Sequence, residues 1–484
     1  MSEVLWPPSG KVKYLGFLSV PDLMWWCIAV LCAVVGILGG FSWGGLLVAS
    51  LVALWGRAQV GGVRVRTRAQ SWVRWRLRGD RTWSAPLRGS SKASAPLLRG
   101  LHLSSVTDAG RMVGVVRSRQ ASLLGGMSSF TAMFPVECDS TTFLSDGARE
   151  QQFGRWGDVL GAQCVERGSA LTAERVTWTD VHRATNPHAL QADHERWGVP
   201  GPASEDYREF LSGFGQVAAD HVTVVAVTVT SAQLAVARRE TGLSGSVDEV
   251  LRQAVLQVAK AVRARMAGAG FRVGEMYRPV DVARMVVAAG DPFDVVSGEL
   301  SGKERFGLPE RLGPESMEVR RDSVAIDGAY HRAFVLGWPK TAVRQEWMWR
   351  LMSLPGPNLV TAVFEAVPPS RADRDREARA NRQRANNLIV AARRGGAVRV
   401  ADHGRESSLR ADEAAVAQGH EELDVYAVVV ITARTEAALN ARCAELRNVA
   451  RESGKASVRE LRGAHDVGWR LALPLGDRVA DAKE

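Results

Sequence analysis

Apolar and polar positions along this chain change period several times. Residues 111–117 alternate around Val113, Val115 and Val116, and residues 130–136 read Phe-Thr-Ala-Met-Phe-Pro-Val, both patterns of strands. Over 146–163 the period becomes helical, with Phe153, Trp156, Val159 and Leu160 on one face. A short strand is predicted over 176–181, an irregular polar stretch over 182–202, and a helix over 205–220 with Tyr207, Phe210, Leu211 and Phe214 at helical spacing. Residues 222–230 form the clearest strand, a run of Val and Thr suited to a covered sheet. A long amphipathic helix over 246–267 follows, then Phe271-Arg-Val273, then a helix over 279–289.

The order then begins again. Strands are predicted over 330–338, 358–367 and 424–432, with helices over 345–354, 370–394, 410–422 and 435–453 and a closing Trp469-Arg-Leu-Ala-Leu-Pro-Leu-Gly476. Strand–helix–strand units repeated in this way predict two ferredoxin-like α+β lobes.

Ahead of these lobes, residues 23–54 hold no charged side chain. One membrane crossing needs about 20 apolar residues, and two need about 35 to 40 with a turn. The glycines of Gly39-Gly40-Phe41-Ser42-Trp43-Gly44-Gly45 suit a reversal. Lys11 and Lys13 precede the block, and Arg57, Arg64, Arg66, Arg68, Arg74, Arg76, Arg78, Arg81 and Arg88 follow it. Basic flanks on both sides predict an even number of crossings with both ends cytoplasmic. The expectation is a transmembrane helical hairpin over about 22–39 and 43–57, two-span in the inner (plasma) membrane, with most of the chain cytoplasmic. Trp25, Trp26, Trp43 and Trp55 would lie near the interfaces. A hairpin buried in a globular core is the bland alternative.

The expected domains are a hairpin anchor at 1–57, a basic juxtamembrane segment and linker at 58–100, a first α+β lobe at 101–297, an exposed excursion at 298–328, and a second lobe at 329–484. The net charge of +10 is concentrated between Arg57 and Arg99, where Asp80 is the single acid. That favours contact with anionic lipid of the inner leaflet over nucleic acid, which is the less favoured partner. Cys27, Cys32, Cys138, Cys164 and Cys443 form no CxxC pair and fit a reducing compartment. His182, His188 and His194 fall six apart in a polar region that reads as loop or helix surface, and no metal site is expected.

Residues 298–304 and 453–456 lack the glycine spacing and the hydroxyl of a phosphate-cradling loop. No GxSxG, HExxH or strand-following GxGxxG occurs. Asp373, Asp375 and Glu377 alternate with arginines, as on a solvated helix with ion pairs. No catalytic residue, cofactor or metal is expected.

The layout resembles a family of actinobacterial conjugation proteins, PrgI-family-like membrane proteins encoded with type IV-secretion-like transfer genes. The resemblance rests on the N-terminal hairpin, the Arg/Trp segment, Phe134-Pro-Val-Glu-Cys138, Phe153-Gly-Arg-Trp156-Gly, Tyr277-Arg-Pro279 and Trp338-Pro339. The second half is similar to the non-catalytic N-terminal domain of conjugative transfer ATPases, through Glu421-Glu422-Leu423, the strand after it, Glu436, Leu439 and Leu446, and the closing Leu473-Pro474-Leu475-Gly476. The resemblance implies a non-enzymatic inner-membrane component of a conjugative or type IV-like secretion apparatus that scaffolds a separate transfer ATPase, with homo-oligomerisation left open. An EccE-like component of a type VII secretion system shares the expected plan. A membrane-tethered DNA-handling protein and a divergent nucleotide hydrolase or membrane-bound synthase are the readings from other classes.

Overall fold

The structure is a computed structural model. It describes residues 13–14, 18–19, 59–60, 63–64, 76 and 82–84, and then 98–120, 127–137, 146–165, 171–184, 194–195, 201–214, 219–293, 313–337, 351, 354–366, 423–454 and 456–477. Among the described residues, thirteen strands form one sheet. In chain order the elements are β1 (Thr82–Ser84), β2 (Leu101–Asp108), β3 (Arg111–Gln120), β4 (Met127–Glu137), α1 (Asp146–Val165), β5 (Arg175–Ala184), α2 (Pro202–Phe214), β6 (Ala219–Thr230), α3 (Leu234–Thr241), α4 (Val247–Gly268), β7 (Arg272–Val273) and α5 (Pro279–Gly290). They continue with β8 (Ser316–Val319), β9 (Val324–Ile326), β10 (Ala329–Gly337), β11 (Asn358–Ala366), β12 (Leu423–Ala433), α6 (Glu436–Gly454), β13 (Ser457–Glu460) and α7 (His465–Ala472).

The spatial order is β1-β8-β9-β10-β12-β11-β5-β6-β4-β3-β2, with β7 added to β4 and β13 to β10. Every pairing is antiparallel. The two halves repeat one plan. Outward from the middle, the first reads β5-β6-β4-β3-β2 and the second β11-β12-β10-β9-β8. Within each, the strands β7-β4-β6-β5 or β13-β10-β12-β11 follow a split βαβ order. Backbone contacts repeat as well. Gly274 N–H donates to the Pro135 carbonyl at 2.9 Å, and Leu461 N–H donates to the Ala333 carbonyl at 3.0 Å. The halves join where β5 pairs with β11, from His182 opposite Asn358 to Arg175 opposite Glu365.

Strand chemistry explains why β6 and β12 are central. Val224 to Val227 and Ala427 to Ile431 are buried on both faces of the sheet, so branched side chains run continuously instead of alternating with polar ones. The helix α4 begins at Ser246, whose Oγ accepts the Glu249 N–H at 3.3 Å, and Asp248 and Glu249 complement its N-terminal dipole. Its apolar face covers the first half together with α1, around Phe130, Phe134 and Val255. On the same side, α6 covers the second half around Phe334, Val429 and Leu446.

The opposite side carries one core that spans both halves, from Met133 and Val224 to Val430 and Trp469, beneath α5 and α7. Trp469 is fully buried, and its Nε1–H donates to the Ala289 carbonyl at 3.1 Å. The chain after α7 then crosses onto the first half. Ser118 Oγ donates to Asp477 Oδ1 at 2.9 Å, and Arg470 holds Asp477 at 2.6 Å. Gly476 has φ of +81°, and a Cβ there would lie 1.9 Å from Thr131 Oγ1. Only glycine fits that turn against the sheet.

Several expectations are corrected. The transmembrane helical hairpin followed by two ferredoxin-like α+β lobes gives way, among the described residues, to one continuous antiparallel sheet of thirteen strands. Among the described residues no helix is long and apolar enough to cross a membrane. The longest, α4, carries Asp248, Glu249, Arg252, Lys260, Arg263 and Arg265. The residues 22–57 on which the hairpin was placed lie outside the described ones. The two-span inner-membrane localisation is not supported and is set aside with it. The excursion over 298–328 contains β8 and β9, whose Met317, Val319, Val324 and Ile326 enter the shared core. The basic linker over 58–100 contributes β1, paired to β8, and the buried Leu98.

Candidate functional site at the seam between the halves

Residues two apart on a strand share a face, and on the α1/α4/α6 side of the seam this places polar groups in rows. One row runs Asn358 on β11, His182 on β5 and His221 on β6, each directly opposite the next. The adjacent row is Val360, Asp180 and Thr223. Beyond it come Ala362, Trp178 and Val225.

Asp180 is wholly buried. Its Oδ1 accepts Thr223 Oγ1–H at 2.6 Å and lies 3.3 Å from His221 Nε2. Its Oδ2 has no hydrogen-bond partner. The His182 and His221 rings meet edge to face with centroids 4.6 Å apart. Burial first, and then the neighbouring His221, push His182 down to about 4, so it is neutral at physiological pH. Its Nε2 is also without a partner. Asn358 spends its amide N–H groups on the carbonyls of Leu354 and Gly356, both at 3.0 Å, and leaves Oδ1 unmatched. Buried polar atoms of this kind are normally satisfied, and each unsatisfied one carries a desolvation cost of about 1–3 kcal/mol. Arg442 of α6 closes one side. Its guanidinium donates to the carbonyls of Pro355, Pro357 (2.8 Å) and Thr432.

Next to Asp180 lies a group of half-buried aromatic rings. Trp156 of α1 meets Trp178 at 4.9 Å, Phe364 at 5.8 Å and Phe271 at 6.1 Å between centroids, all near edge to face. A carboxylate, a neutral imidazole, an amide oxygen and a set of π faces therefore occupy one surface of three adjoining strands. Among the described residues, no three His, Cys, Asp or Glu side chains are arranged to hold a metal ion.

Of the residues expected to face lipid, Arg64 lies in the strand Val63–Arg64, paired with Gln59–Val60, and Arg76 is helical and exposed. Trp25, Trp26, Trp43, Trp55, Arg57, Arg66, Arg68, Arg74 and Arg78 lie outside the described residues, as do Lys303 and Lys455. His182, which the sequence pattern places in a loop or on a helix surface, lies on β5, while His194 bonds Ser204 at 2.7 Å. Cys443 is a buried thiol in the second half's core, raised to about 11 by burial. The sequence reading missed Asp180, His221, Asn358 and Arg442. A usable signal existed: Trp178, Asp180 and His182 have the period of two that puts them on one strand face.

The fold and this seam define a duplicated α+β protein whose halves share a sheet and enclose a polar row at their junction. No protein-family model matches the chain, and no curated protein matches it.

Proposed function

We propose that the chain is a non-enzymatic scaffold of a conjugative or type IV-like secretion apparatus, a platform on which a separate transfer ATPase assembles. The observation that carries this reading is the clasp between the repeated halves. Trp469 and the strap through Gly476 and Asp477 lock the second half onto the first. The motifs similar to the ATPase N-terminal domain, including Leu473-Pro474-Leu475-Gly476, are thus used in building the platform. A rigid body with helices on both faces of a broad sheet suits docking of other subunits.

Co-expression of the full chain with a transfer ATPase from the same genome tests the proposal. A defined complex is expected by size exclusion with light scattering, with nucleotide turnover confined to the ATPase. Separate elution, or ATP hydrolysis by the chain alone that is lost on changing Lys303 or Lys455, overturns it.

A further inference from the structure

We infer that the seam is a binding site for a primary alkylammonium group, with Asp180, Asn358 and His182 as its acceptors and the adjoining aromatic rings as the bed for its alkyl stem. The inference stands whether or not the chain belongs to a secretion assembly.

Asp180 Oδ2, Asn358 Oδ1 and His182 Nε2 are unpartnered, and their residues are 0%, 1% and 8% exposed. Asn358 and His182 are directly opposite across β11 and β5, and Asp180 is two residues from His182 on the same face. A neutral imidazole whose proton sits on Nδ1 offers Nε2 as an acceptor. Three acceptors with one negative charge match the three N–H donors and the single positive charge of R–NH3+. An anion is disfavoured by the Asp180 carboxylate. The aromatic group supplies the second observation. Trp178 is two residues from Asp180 and, with Trp156, Phe364 and Phe271, remains half-buried. Such rings attract both the methylenes and the charge of an alkylammonium. The half-exposed His221 lies beside Asp180, with Nε2 at 3.3 Å from Oδ1. The cation Arg442 does not compete for Asp180, because it donates to backbone carbonyls.

The test uses the full chain and n-butylammonium, titrated by calorimetry against tetramethylammonium, which has the same charge and no N–H. Saturable one-site binding of butylammonium, at least tenfold tighter than tetramethylammonium, is expected. Asp180→Asn keeps an acceptor for Thr223 and should weaken binding at least tenfold. Should that variant fail to fold, Trp178→Leu is expected to weaken it at least threefold. Equal affinity for the two cations, no saturable binding, or binding indifferent to the folded variants overturns the inference. A second arm separates the sources of the group. A capped peptide with one lysine that binds tenfold tighter than butylammonium, and loses this on lysine acetylation, identifies a partner's side chain. Binding no tighter than butylammonium identifies a free amine.

Discussion

Met133 and His331 occupy equivalent places in the two halves. Each lies two residues before the carbonyl that receives the repeated backbone contact, Pro135 in the first half and Ala333 in the second. Met133 is packed in the shared core among apolar side chains. His331 is equally buried, yet its ring is bonded at both nitrogens, to Thr432 Oγ1 at 2.9 Å and the Gly290 carbonyl at 2.8 Å. A second buried imidazole of this half, His465 at the start of α7, accepts the Ala333 N–H at Nδ1 at 3.1 Å. At the seam the polarity is reversed, with Asp180 on the first half facing Val360 on the second. At this one position, that of Met133 and His331, the same topology is held by packing in one copy and by directed hydrogen bonds in the other. Strand order constrains which positions are buried and leaves open how each is satisfied.

Acid should expose this difference most. His331 and His465 are lowered by burial to about 4 and about 3, and His182 to about 4. Each is neutral in the fold and titrates near 6.5 when unfolded. The unfolded chain therefore binds more protons between about pH 6.5 and 4, so stability is full above 6.5 and falls as pH drops through that window. Each histidine contributes up to about 3 kcal/mol to the loss. Hydrogen exchange at pH 5 against pH 7 should show β10 and β12 losing protection before β3 and β4. Uniform loss across the sheet would erase the contrast between the halves.

Trp469→Ala removes the indole that clasps α7 to α5. A cost of about 4 kcal/mol is expected from the lost burial and the cavity together, read by denaturant unfolding. Separation into two transitions would mean the halves retain independent stability. His331→Met converts the second half to the first half's solution. It leaves the Gly290 carbonyl unmatched and should cost about 1–3 kcal/mol at neutral pH, while flattening the acid dependence. An unchanged slope between pH 6.5 and 4 would remove His331 from the explanation. The smallest effect is expected of Ser118→Ala, which takes one hydrogen bond from the strap at Asp477 and should cost about 1 kcal/mol. A loss several times larger would show that the strap is held chiefly at this point.

The strongly patterned elements were legible in the sequence. The Val/Thr run of β6, the Val-rich β12 and the amphipathic α4 and α6 follow from period and branching alone. The short strands β8 and β9 were not. Their buried Met317, Val319, Val324 and Ile326 alternate in pieces too brief to stand out among Glu318, Arg320, Arg321 and Asp322. At the seam, Asp180 and His182 were within view, but their partners His221 and Asn358 arrive through pairing of β5 with β6 and β11, which no local pattern encodes. The closing Trp469–Gly476 stretch was visible as a motif. Its destination on the first half depends on a contact of long sequence separation, such as Thr131 against Gly476.

The place of β1 has a consequence for how the molecule is made. Thr82–Ser84 leaves the ribosome before either half, yet among the described residues its partner in the sheet is β8, at the far end, with Trp83 opposite Met317. During synthesis this strand meets that partner only after the whole first half is completed. Its docking is a late event that reports on the second half, not the first. A chain interrupted anywhere before Ser316 would carry an orphaned strand at its front, a mark by which unfinished copies differ from finished ones.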